Sequence, residues 1–158
     1  MAKLTREANN KAKIAQLTKR LQPIVESVLK DLEALGWQPK VMEGLRTLET
    51  QKAYVKRGVS KTLRSYHLTG NAVDIVDARY LWNVSRLHTF WYDYARIIFK
   101  HAEKEPKLGW GGIWSGRGNL ARERSRWAQY EKQHKDYIAK NSRDTLSWFV
   151  DVAHMEIR

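Results

Sequence analysis

The chain contains no cysteine. Disulfide scaffolds, thiolate metal sites, haem attachment and thiol catalysis are therefore excluded, and any metal site must be built from His, Asp and Glu. No apolar run approaches the roughly 18 residues that span a bilayer. The first residues, Met1-Ala2-Lys3-Leu4-Thr5-Arg6-Glu7, carry charge with no apolar stretch behind them, unlike a Sec signal peptide. Proline is scarce, at three residues, and there is no internal repeat or low-complexity tract. Acidic residues are outnumbered, 17 against 29 Lys plus Arg, which leaves a net charge of +12. Such a balance implies an anionic partner or surface and says nothing about fold.

What remains suits one folded domain. At 158 residues and 42% hydrophobic content, with seven Trp and seven Tyr, the chain can fill a core despite its charge. Residues 5–35 read as helical. Leu21, Ile24, Val25, Val28, Leu29, Leu32 and Leu35 form one apolar face. Pro23 predicts a break near Gln22, and Gly36 suits the position past a helix end. Residues 1–20 are expected to be an N-terminal helical extension with a fraying, polar start.

Lys40–Glu43 reads as a short strand. Thr47 is a plausible N-cap for a helix over 48–57, closed by Gly58. Residues 59–71 read as loop and Ala72–Val76 as a strand. Ser85 is placed as the cap of a helix over 86–102, whose apolar face holds Phe90, Trp91, Tyr94, Ile97 and Ile98. Trp110-Gly111-Gly112-Ile113-Trp114 is a glycine-rich aromatic turn. Residues 115–147 read as a basic, partly helical insertion, within which 116–143 hold eight Lys/Arg against three acids. His88, His101 and His134 are expected to be solvated. The last residues, from Trp148 onward, form a strand candidate in which His154 and Glu156 share a face.

Two clusters carry possible chemistry, Ser65 to Asp74 and Asp151 to Glu156. His67, Asp74 and His154 supply the three nitrogen and oxygen ligands of a catalytic zinc, and Asp151 is a spare carboxylate for general-base work. Each has an ordinary structural alternative. His67 could simply be packed. Asp74 could pair with an arginine, since a carboxylate in a buried strand needs a partner. Asp77 reads as strand-end chemistry, and Asp151 could be a turn cap.

Together the clusters resemble a known family. Ser65-x-His67-x-x-Gly70-x-Ala72-x-Asp74 and Asp151-x-x-His154-x-Glu156 look like the two signatures of the zinc D,D-carboxypeptidases and L-alanyl-D-glutamate endopeptidases, the VanY-like peptidoglycan peptidases that include phage endolysins. Glu43-Gly44-Leu45-Arg46-Thr47 with Gln51, and the Trp110–Trp114 turn, resemble further family segments in the family order. The resemblance implies an α+β fold of the Hedgehog and D,D-peptidase kind, a small antiparallel sheet carrying the zinc site with helices around it. It implies one Zn2+ per chain on His67, Asp74 and His154, and Asp151 as general base and acid. Arg46 would stabilise the oxyanion, with a structural ion pair to Glu43 or Glu49 as its alternative. Ser65 and Gln51 would contact substrate, and Glu156 would support a ligand or Arg46.

The implied reaction is hydrolysis of a peptidoglycan stem-peptide bond. Asp151, where the VanX-like branch carries Glu, favours the L-Ala–D-Glu bond over D-alanyl-D-alanine carboxypeptidase action. The expected partners are peptidoglycan and the anionic cell-envelope surface, acting as a monomer, with no nucleic acid. The expected route is synthesis in a host cytoplasm without a Sec signal and action on the wall after the membrane is breached. A basic nucleic-acid-binding module is the alternative of another class.

Overall fold

The computed structural model describes residues 4–113, 123–140, 143–144, 146 and 151–158. Among these, five helices surround one four-stranded sheet. The helices are α1 (Arg6–Ile14), α2 (Gln22–Ala34), α3 (Leu48–Lys56), α4 (Thr89–Ala102) and α5 (Arg124–Lys140). The strands are β1 (Pro39–Glu43), β2 (Ala72–Asp77), β3 (Leu108–Trp110) and β4 (His154–Ile157). Their order is β1-β2-β4-β3, with every neighbouring pair antiparallel. The architecture is the α+β arrangement expected from the sequence, and no described helix is long and apolar enough to cross a membrane.

The apolar face of α2 enters the core through Val25, Val28, Leu29 and Leu32, and α4 packs against it through Phe90, Trp91, Tyr94, Ile97 and Ile98. Pro23 lies in the first turn of α2, where its missing N–H breaks no helical bond. The chain leaves helical form earlier, between Ile14 and Gln22. Buried Leu17 and the Thr18 N–H bond to the Gly70 carbonyl hold that connection against the site loop.

The N-terminal helix is not a loose extension. Asn10 lies against the outer edge of β1, accepting from the Val41 N–H and donating to the Pro39 carbonyl. Asn9 adds a bond to the Val41 carbonyl. A helix thereby covers an edge strand whose backbone groups would otherwise be open to pairing. Residues 1–3 lie outside the described residues.

Thr47 caps α3 as expected, accepting from the Thr50 N–H. For α4 the cap is different. The helix starts at Thr89, and the His88 Nδ1 accepts from the Phe90 N–H, while Ser85 closes only the preceding turn onto Leu87. His88 is thus half-buried structure rather than a solvated side chain, packed edge-on to Trp37 and tilted against Tyr80. His134 is also buried, bonded through Nδ1 to the Leu87 carbonyl at 2.8 Å.

His134 belongs to α5, the described part of the basic segment. One side of α5 is an aromatic seam: Tyr92 of α4 stacks on Trp127 and His134, and Tyr130 packs edge-on to Trp110 and is fully buried. Arg86 ties the far end by pairing with Asp144 and donating to the Leu146 carbonyl. The basic residues Arg124, Lys132, Lys135 and Lys140 face outward. Residues 114–122, 141–142, 145 and 147–150 lie outside the described residues, so Trp114 and the start of the expected last strand receive no structural account. The described strand begins at His154, with Asp151–Ala153 in the turn before it.

Candidate functional site

Strand register builds the centre of the site. Glu43 of β1 stands opposite Asp74 of β2, and Asp74 stands opposite His154 of β4. Directly opposed residues in a pleated sheet project to the same face, so these three side chains form a row across the sheet. A bulge between Val41 and Glu43 brings Glu43 into that row. His67 arrives from the 3-10 turn Tyr66–Thr69. Ser65 caps that turn by accepting from the His67 N–H, and Gly70 closes it at φ 72°. A Cβ on Gly70 would meet the Gln16 carbonyl at 3.1 Å, so glycine there serves both the turn and the close approach of the chain.

His67, Asp74 and His154 converge. The His67 Nε2 lies 3.4 Å and the His154 Nδ1 3.1 Å from Asp74 Oδ1. All three are buried, and their candidate ligand atoms lie within 4.8 Å of one another. The outer nitrogen of each ring meets a pure acceptor. His67 Nδ1 bonds the Gly44 carbonyl at 2.8 Å, and His154 Nε2 bonds the Glu156 carboxylate at 2.9 Å. These acceptors hold a ring proton on the outer nitrogen and turn the inner nitrogens towards Asp74. Two imidazole lone pairs and one carboxylate around a common centre fit a divalent metal such as zinc, with coordination positions left for water.

The electrostatics agree. Burial alone would raise the Asp74 pKa, but hydrogen bonds and charge from His154 and His67 hold it well below the carboxylate range. Burial would lower His154, yet its bonds to Asp74 and Glu156 push it up to about 10. The metal-free cluster therefore keeps a proton on His154, and a bound cation would take that proton's place.

Asp151 sits on the turn leading into β4. Its N–H donates to the Gly111 carbonyl at 2.9 Å, and its own carbonyl receives the His154 N–H at 3.0 Å. The glycine pair makes this turn possible. A Cβ on Gly111 would lie 2.3 Å from the Asp151 carbonyl oxygen, and one on Gly112 would strike the Trp110 ring. Trp110 completes the clamp by donating from Nε1 to the Val152 carbonyl. The Asp151 carboxyl is pushed up to about 6, first by burial and then by the charge of Asp74. A carboxylate at that value exchanges protons near neutral pH.

Arg46 is clamped rather than free. Its Nε and Nη2 donate to the two oxygens of Glu43 at 2.7 and 2.5 Å, and its Nη1 donates to the Gln51 Oε1 at 2.5 Å. Its guanidinium lies over the Tyr54 ring at 4.7 Å and stands 3.9 Å from Asp74 Oδ2. Burial would lower its pKa, but the Glu43 bond and charge raise it, so it is a permanent cation at the edge of the cluster. The ion pair to Glu43 is real, and it leaves Arg46 beside Asp74.

Gln51, expected to touch substrate, is fully buried. Its oxygen takes Arg46, and its amide donates to Ser60 Oγ and the Thr62 carbonyl. Its polar atoms are engaged within the protein, which makes it a holder of Arg46. Tyr54 was missed by sequence reasoning, although its place three residues after Gln51 puts both on one face of α3. Glu156 bonds His154 and Arg158, which places it behind the His154 ring.

A family model described as phage L-alanyl-D-glutamate peptidase matches residues 3–138. The chain belongs to this family. It is 36% identical over 110 residues to the L-alanyl-D-glutamate peptidase of Listeria phage A118. That match covers 66% of the chain but 36% of the relative, so the chain spans well under half of that protein's length. Among solved structures it resembles the L-Ala D-Glu endopeptidase ChiX of Serratia marcescens with a TM-score of 0.61. The likeness covers 96% of this chain and 87% of that one at 22% identity, and supports the shared fold.

Proposed function

We propose that the chain is a zinc-dependent peptidoglycan peptidase that hydrolyses the L-alanyl–D-glutamate bond of the stem peptide in the manner of a phage endolysin. The observation that carries this reading is the buried convergence of His67, Asp74 and His154, with both histidine rings fixed from behind. The names of the relatives supply the bond.

In this reading His67, Asp74 and His154 hold the metal. When bound, zinc supplies the Lewis acidity that makes water a nucleophile near neutral pH. Asp151 accepts a proton from the attacking water and delivers it to the leaving amine, for which a pKa pushed up to about 6 suits it. Arg46, held by Glu43, Gln51 and Tyr54, offers a fixed positive charge to the oxyanion of the tetrahedral intermediate. Glu156 fixes the orientation of His154, and Ser65 fixes the turn that presents His67. The protein works as a monomer on the wall, reached once the membrane is breached, and its +12 charge draws it to the anionic envelope.

The test is mass analysis of fragments released from defined stem peptides by protein stripped with chelator and reloaded with zinc. Release of L-Ala from D-Glu-headed peptides supports the reading. Release of terminal D-Ala would make the enzyme a D-alanyl-D-alanine carboxypeptidase. No zinc uptake and no cleavage would overturn it.

A further inference from the structure

A groove of about 360 Å³ opens beside the catalytic cluster, bordered by Lys13, Gln16, Glu43, Gly44, Tyr54 and Trp82. Three of these residues also belong to the site. Glu43 holds Arg46, Gly44 holds His67, and Tyr54 lies under the Arg46 guanidinium. Whatever fills the groove therefore lies against residues that support the cluster.

We infer that this groove is a sugar subsite, which takes the N-acetylmuramic acid residue carrying the stem peptide, with Trp82 as its stacking platform. The inference rests on the proposed L-alanyl–D-glutamate activity. In peptidoglycan, L-Ala joins the stem to the lactyl group of that sugar. The sugar ring thus begins one residue and a lactyl unit, about 7 Å of chain, from the scissile carbonyl. A subsite adjoining Arg46 lies within that reach.

The chemistry of the groove fits a sugar. Trp82 is half exposed and lines the groove. It follows Leu81, which packs against the core at φ 52°, a conformation unfavourable for a bulky side chain. Residues held in such conformations cluster at functional sites. The broad C–H face of a pyranose stacks on a flat aromatic ring, and an amphipathic aromatic suits a ligand that is apolar on one face and polar at its rim. The groove's polar groups are of mixed kind. Lys13, one of whose N–H groups goes to the Met42 carbonyl, keeps further donors, and Gln16 can both donate and accept, which matches hydroxyl and acetamido groups, while both Glu43 oxygens are engaged by Arg46. The volume lies at the small end of ligand pockets and suits one sugar ring rather than a strand.

The experiment compares two substrates on the zinc-loaded protein: the free stem peptide, and the same peptide carried on N-acetylglucosaminyl-N-acetylmuramic acid. The wild type is expected to favour the glycan-bearing substrate by about tenfold in kcat/KM, chiefly through KM, as one aromatic stacking contact supplies. Trp82→Ala should bring that substrate down to the level of the free peptide while leaving free-peptide cleavage unchanged. Trp82→Phe should retain most of the preference. Equal cleavage of both substrates by the wild type would overturn the subsite. So would a Trp82→Ala variant that keeps the preference or slows both substrates alike. Cleavage of neither substrate by the wild type would instead overturn the peptidase reading on which the subsite rests.

Discussion

The cluster around Asp74 and the seam between α4 and α5 are both buried, and both contain histidine, yet they are built in opposite ways. Around Asp74, polar groups face inward and each is held by another polar group: His67 by Gly44, His154 by Glu156, Arg46 by Glu43 and Gln51. Between α4 and α5, rings face inward, and His134 is one more ring stacked on Tyr92, with a single bond to the Leu87 carbonyl. A buried histidine therefore signals chemistry only when its partners leave a nitrogen aimed at other ligands. The predictions test that division, one region governing activity and the other governing stability.

The largest separation should come from Asp151→Asn. The substitution keeps the shape but cannot take a proton, so peptide hydrolysis should fall by about 10² to 10⁴. Zinc content and unfolding midpoint should change little. A variant that lost zinc or folding instead would show Asp151 to be structural. In the seam, Tyr130→Ala should do the reverse. It empties a fully buried ring site and should cost about 3 to 5 kcal/mol in urea unfolding, with normal zinc stoichiometry in the folded fraction.

This contrast also explains what the sequence made legible. His67, Asp74, His154, Asp151 and Arg46, which the structure brings together, lie in short segments whose residue types suggest their chemistry. The α5 segment declared itself by charge. Its aromatic residues, Trp127, Tyr130 and His134, fall at three- and four-residue steps and were hidden among five basic side chains. Their partners, Tyr92 and Trp110, are distant in sequence, so the seam exists only in the tertiary fold. Gln51 is a different case. A Gln on a helix after Arg46 reads equally well as a substrate contact or as a brace, and its bonds to Arg46, Ser60 and Thr62 favour the brace. The N-terminal helix was misread because Asn10, polar in sequence, is matched to a strand edge.

Gln51→Ala sharpens the comparison within the site. Arg46 would lose one of its acceptors in a buried place, a loss of about 1 to 3 kcal/mol. If Gln51 braces Arg46, kcat should fall about tenfold with KM little changed. A rise in KM at constant kcat would return Gln51 to a substrate-binding role.

Proton linkage separates the regions without a large change in rate. His154 is pushed up to about 10 in the metal-free protein, so it carries a proton below that pH and must release it to bind zinc. Zinc uptake at pH 7 to 8 should release close to one proton, measured by calorimetry in buffers of different ionisation enthalpy, and affinity should rise as pH climbs towards 10. Activity should rise as Asp151 ionises, with a limb below about 6, because a bound dication lowers a neighbouring carboxylate further. The His154 linkage also sets metal-free stability. A pKa raised in the folded state stabilises below the unfolded value near 6.5 and loses that contribution as pH rises through about 10. Glu156→Gln should weaken zinc binding by about 10- to 100-fold through the ring it orients, while His134→Gln should leave zinc affinity unchanged.

The smallest effect concerns the outer face of α5. Lys132, Lys135 and Lys140 are exposed, and Lys132 pairs with Asp136 one turn on. Replacing all three lysines by Gln should shift the melting temperature by about 2 °C or less, because exposed charges contribute little to folding. If this face draws the protein to an anionic envelope, the triple variant should lyse walls a few-fold more slowly at low salt and match the wild type at about 1 M, where the Debye length shrinks to roughly 3 Å. Cleavage of a soluble, uncharged peptide should not change at either salt. A slower rate on that peptide would mean that the seam transmits the surface change to the catalytic cluster, and the division between the two regions would fail.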